Sequence, residues 1–64
     1  MTAIELMQFR RKLGMSRAKL SDAIGASETA IKLWENGVNA IPKYIALACR
    51  AYLDEYRKSL DETL

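Results

Sequence analysis

Leu13-Gly14-Met15-Ser16-Arg17-Ala18-Lys19-Leu20-Ser21-Asp22-Ala23-Ile24-Gly25-Ala26-Ser27 decides the fold. The stretch is punctuated throughout. Gly14 supplies the left-handed residue that ends a preceding helix. Ser16 is an N-cap, and Leu20 and Ile24 form the buried stripe of the short helix it opens. Gly25 closes that helix, and Ser27 caps a third one that runs to Asn36, where Asn36-Gly37 is a strong stop signal. Only Gly25-Ala26 separates the second helix from the cap of the third, too few residues for the two to run antiparallel. The spacing predicts two short helices crossing steeply and packed closely at the turn.

Working outward, Thr2-Ala3-Ile4-Glu5 reads as a capping box, with Met1 and Leu6 at the staple positions around it. Leu6, Phe9 and Leu13 recur at helical spacing with Arg10 on the same side. Arg11 and Lys12 lie in the last turn, where the macrodipole favours cations. The first helix is therefore expected over Thr2 to Leu13. Pro42 suits the first turn of a fourth helix, because its missing N–H would be unpaired there anyway. No Gly or Pro follows it, so that helix either continues through Tyr52 into the tail or breaks into a fifth. There is no strand pattern, internal repeat or linker. The expected class is all-α, one domain over residues 1–64.

Composition bounds the function. Sixty-four residues, half of them hydrophobic, allow one small domain whose core is marginal enough for a partner subunit to help. One cysteine and no histidine rule out an internal disulfide and argue against a Cys/His zinc site, so no metal or cofactor is expected. No apolar run approaches the ~18–20 residues of a membrane span and no signal peptide opens the chain, which reads as cytoplasmic. An enzyme is a poor fit, since the acid pairs Asp54-Glu55 and Asp61-Glu62 lie in the tail and no Gly-rich phosphate loop is present. The net charge of +2 divides unevenly: residues 1–50 carry 8 basic and 4 acidic side chains, residues 51–64 carry 2 and 4.

With Ile31, Trp34-Glu35-Asn36-Gly37 and Ile41-Pro42 added at their offsets, the stretch resembles the Cro/C1-type (XRE) helix-turn-helix family over residues 6 to 53. One departure is Ser21, where the family usually carries Ala; Ser still meets the requirement for a small residue facing the second helix of the pair. The resemblance implies a lambda-repressor-like bundle of four to five helices with a central helix-turn-helix at about 17–36. It also implies double-stranded DNA as partner, with no small-molecule ligand.

The residues agree with this on their own terms. With Ile31 and Trp34 on the buried side of the third helix, a rotation of ~100° per residue points Thr29 and Asn36 away from the core. Lys32 and Leu33 flank them, Glu28 lies at one margin and Glu35 falls nearer the core. Thr29 and Lys32 suit base reading in the major groove better than the alternative, a plain solvated surface. Glu28 either accepts from a cytosine amino group or simply complements the helix dipole. Leu33 either touches a thymine methyl or is one of the scattered apolar residues of any surface. Arg17 and Lys43 fall in first helical turns, where the dipole disfavours a cation. A phosphate docked there would remove the conflict; an unoptimised exposed base is the bland alternative. The hydroxyls of Ser16 and Ser27 could donate to the same phosphates, with Asn36 and Asn39 as weaker candidates. The family resemblance further implies an ion pair between Arg10 and Glu35 joining the first and third helices, read as structural.

In the tail, Leu53, Tyr56, Leu60 and Leu64 form the apolar stripe of an amphipathic helix over about 53–64. Either it closes the core or it makes a two-fold dimer contact, and so small a core favours the dimer. Cys49 lies on the Ile45–Cys49–Tyr52–Leu53 stripe as a small hydrophobe. The expected function is a homodimeric repressor or autorepressor on a palindromic operator of a phage or mobile-element operon: Cro-like, restriction-controller or anti-CRISPR-associated. The competing expectation is an antitoxin or interaction module whose main partner is a protein. Nothing in the chain provides a sensor domain, so such a repressor would respond only to its own concentration.

Overall fold

Local hydrogen bonds set each helix boundary. The computed structural model describes residues 1–63 and contains α1 (Ala3–Lys12), α2 (Arg17–Ile24), α3 (Glu28–Glu35) and α4 (Lys43–Thr63). At the start of α1 the Glu5 N–H donates to Thr2 Oγ1 at 3.1 Å while the Thr2 N–H donates to Glu5 Oε1 at 2.8 Å. These bonds satisfy two helix-end donors reciprocally and hold the Glu5 carboxyl below its usual range. At the other end, Gly14 takes φ +65°. Its N–H reaches the Arg11 carbonyl and the Met15 N–H reaches the Arg10 carbonyl, both at 3.0 Å, which is a Schellman closure.

Serine caps open both helices of the central pair. Ser16 Oγ accepts from the Lys19 N–H and Ser27 Oγ from the Ala30 N–H, each at 3.1 Å. Between the helices Gly25 adopts φ +71°, and its N–H and that of Ala26 both donate to the Ser21 carbonyl. A Cβ at position 25 would meet nothing within 4 Å, so the requirement for glycine there is one of backbone conformation alone. Ser21 is half-buried and its hydroxyl donates to the Ala18 carbonyl at 2.7 Å, so the departure from alanine is accommodated within α2 itself.

The core draws on every helix. Leu6 of α1, Leu20 of α2, Ile31 and Trp34 of α3, and Ile45 and Cys49 of α4 are buried together with Met15 from the α1–α2 connection. Phe9, Leu13, Ile24 and Tyr52 pack against this cluster while half-buried, and the Phe9 and Tyr52 rings meet edge-to-face at 6.4 Å. Desolvation pushes the Cys49 thiol up, consistent with a small packing residue. Helices α1 and α3, α2 and α3, and α2 and α4 are in contact.

The question left at the tail resolves to four helices. Helix α4 is continuous for 21 residues, about 31 Å at 1.5 Å per residue, in a molecule measuring 40 × 21 × 19 Å. Pro42 lies just before α4 rather than within its first turn, with its carbonyl accepting from the Ile45 N–H at 3.0 Å. Among the described residues no helix is long and apolar enough to cross a membrane.

Candidate nucleic-acid interface

Helix α3 is amphipathic in the sense its sequence requires. Ile31, Trp34 and Glu35 are buried, whereas Glu28, Thr29, Lys32 and Asn36 are exposed. Thr29, Lys32 and Asn36 are spaced at i, i+3 and i+7, so they share one face. Leu33 is half-buried, so less of it is available to a partner than of Thr29 or Lys32. The exposed face offers a hydroxyl, an ammonium and an amide, a mixed set of donors and acceptors in place of a uniformly charged solvated surface.

What holds that face in position is an ion pair. Arg10 Nε donates to Glu35 Oε2 at 2.7 Å and Arg10 Nη2 to Glu35 Oε1 at 3.0 Å, a bidentate geometry. Arg10 Nη1 also donates to the Met15 carbonyl at 3.1 Å. The Glu35 side chain has no exposure and that of Arg10 only 14%. Burial pushes the Glu35 carboxyl up, but the hydrogen bonds from Arg10 and the charges of Arg10 and Arg17 outweigh it and hold it below the usual carboxylate range. Its bond to Glu35 in turn raises the Arg10 guanidinium. The Glu35 carboxylate thus fixes the C-terminal end of α3 to Arg10 of α1, and Arg10 in turn holds the chain leading into α2 through the Met15 carbonyl.

The phosphate candidates divide into groups. Ser16 and Ser27 are exposed at the starts of α2 and α3; each uses an oxygen lone pair for capping, which leaves its O–H free to donate. Lys43 opens α4 exposed, with no ion-pair partner among the described residues. Asn36 and Asn39 are exposed after α3, and Asn39 lines a shallow hollow with Trp34, Ile41 and Thr2. Arg17 differs from all of these: its Nη2 lies 3.4 Å from Glu35 Oε1. The anion that its place at the start of α2 calls for is thus partly supplied within the protein. That contact pairs residues 18 apart, and no local pattern signals it.

The chain belongs to the Cro/C1-type helix-turn-helix family. The helix-turn-helix family model matches residues 6–61, spanning all the candidate interface residues except Leu64 and reaching well into α4. No curated protein and no solved structure matches the chain. Membership makes it a DNA-binding transcription regulator of the XRE type, and the family is one of DNA-binding domains rather than of enzymes.

Away from α3, the tail residues of this helix-turn-helix protein are partly uncovered. Tyr56 and Leu60 are 42% and 49% exposed, and Leu53 is half-buried. They line a groove of about 290 Å³ together with Phe9, Leu13, Lys12 and Arg57. The stripe therefore extends onto the end of α1, a continuation that the amphipathic pattern of the tail alone does not reveal. Leu64 lies outside the described residues. A second apolar stretch, Tyr44 and Leu47, is exposed on another face of α4.

Proposed function

We propose that the protein is a homodimeric transcriptional repressor that binds a palindromic operator and regulates a phage or mobile-element operon, its own promoter included. The observation that carries this reading is the outward face of α3, Thr29–Lys32–Asn36, on a helix whose other side is fixed by Ile31, Trp34 and the Glu35–Arg10 pair. In this reading α3 enters the major groove, with Thr29 and Lys32 at base edges, Glu28 discriminating at the groove margin and Leu33 beside a thymine methyl. Ser16, Arg17, Ser27, Asn36, Asn39 and Lys43 hold the sugar-phosphate backbone and set the register.

Dimerisation through Leu53, Tyr56, Leu60 and Leu64 would place two α3 helices about 34 Å apart on one side of the duplex. The uncovered groove beside them and the small size of the core support it.

The division into base readers and backbone anchors is testable by binding to operator and random duplexes side by side. Thr29→Ala and Lys32→Ala are expected to lower operator affinity by about 5- to 160-fold, from ~1–3 kcal/mol per contact, with little effect on random duplex. Lys43→Ala is expected to weaken both duplexes about equally and to reduce the salt slope by about one phosphate. Equal behaviour of all three variants would remove the division. Tight binding of a protein partner with only weak, salt-insensitive duplex binding would favour an interaction module instead.

A further inference from the structure

The buried Glu35 carboxylate receives more positive charge than it can neutralise. Its two oxygens accept from Arg10 at 2.7 and 3.0 Å, which already completes a bidentate pair. Arg17 Nη2 adds a third contact at 3.4 Å, longer than the ~2.7–2.9 Å of a strong charge-assisted bond. Two guanidiniums and one carboxylate leave the trio with one net positive charge, and Arg17 is its outer member. The Arg17 side chain is 40% exposed against 14% for Arg10 and none for Glu35. Its Nε is buried and has no hydrogen-bond partner among the described residues, an exception for an interior donor. Of the five N–H donors on the Arg17 guanidinium, Glu35 engages one weakly. Arg17 also opens α2 directly after the Ser16 cap, where helix amides already favour an anion.

We propose that Glu35 is a positioning residue for DNA binding: anchored by Arg10, it holds the Arg17 guanidinium at the start of α2 so that its exposed donors meet a backbone phosphate. The proposal rests on the reading of Arg17 as a phosphate contact and adds that the contact depends on a carboxylate inside the core. Lysine at position 17 would keep the charge but not the planar fork that can hold Glu35 and a phosphate at once.

The test compares Arg17→Ala and Arg17→Lys in two backgrounds, the parent protein and Arg10→Met/Glu35→Met, which replaces the buried pair with apolar side chains. Each is titrated with a short random-sequence duplex over a range of salt, after a thermal melt establishes that it is folded. In the parent, Arg17→Ala is expected to lower affinity by about tenfold and the salt slope by about one. Arg17→Lys should keep the slope and still lose about threefold in affinity. In the double-methionine background the Arg17→Ala effect should shrink to about twofold. If that background does not fold, Arg10→Leu/Glu35→Leu takes its place with the same expectation. An equal loss in both backgrounds overturns the positioning role while leaving Arg17 a phosphate contact. No loss in the parent overturns the phosphate contact and the proposal with it. Absence of duplex binding by the parent would instead overturn the DNA-binding reading.

Discussion

Replacing Glu35 with alanine is expected to remove between about a third and all of the protein's folding stability. The substitution strands the Arg10 guanidinium, only 14% exposed, without its carboxylate. Breaking a buried pair from one side costs about 3–5 kcal/mol, whereas a domain of this length has only about 3–10 kcal/mol in total. Arg10→Met/Glu35→Met should recover most of that loss, because neither member of the bidentate pair is left as a buried, unpaired charge. Urea titrations of the single and double variants measure the coupling directly, and a coupling near zero would show that the pair does not hold α3 to α1. The same pair sets an acid limit. Glu35 titrates below its unfolded value, so its contribution is fully present above the ordinary carboxylate pKa of about 4.3. That contribution is lost as pH falls through the folded value. The double-methionine variant should therefore lose less stability than the parent between neutral pH and about pH 3.

Leu60→Glu is expected to separate dimer from monomer and to lower operator affinity by about 10²–10⁴-fold, the gain that linking two binding modules provides. Leu60 is half exposed and outside the buried cluster, so the melting temperature extrapolated to low protein concentration should change little. Solution mass by light scattering, read beside operator affinity, checks the prediction. Leu47→Glu is the matched control on the other exposed stretch of α4. If Leu47→Glu dissociates the dimer and Leu60→Glu does not, the interface lies on that face. If neither changes a monomeric parent, the dimer is absent.

How far the sequence leads depends on the range of the interactions involved. Helix ends were legible because Thr2, Ser16 and Ser27 satisfy donors three residues away and because Gly14 and Gly25 adopt a conformation other residues avoid. The exposed face of α3 followed from period 3.6 once Ile31 and Trp34 were placed inside. The length of α4 did not follow, because absence of a helix breaker is compatible with either continuation or a new cap. Met15 escaped as a core residue because it lies in a connection, where neither periodicity applies. The third contact on Glu35 was also beyond reach. Arg17 stood out as misplaced for the dipole, but only tertiary packing brings an acid from α3 beside it. Phe9 and Leu13, at helical spacing from Leu6, pack against the core as that spacing implies and also line the half-open groove with the tail, which the spacing does not reveal.

The central claim is that α3 reads a two-fold symmetric DNA sequence. Selection of bound duplexes from a random pool, followed by sequencing, tests it most directly. An inverted repeat with half-sites about one helical turn apart is expected, with a preference over random duplex of about 10³-fold or more at physiological salt. A pool that emerges without enrichment, or an enriched site without two-fold symmetry, would contradict it.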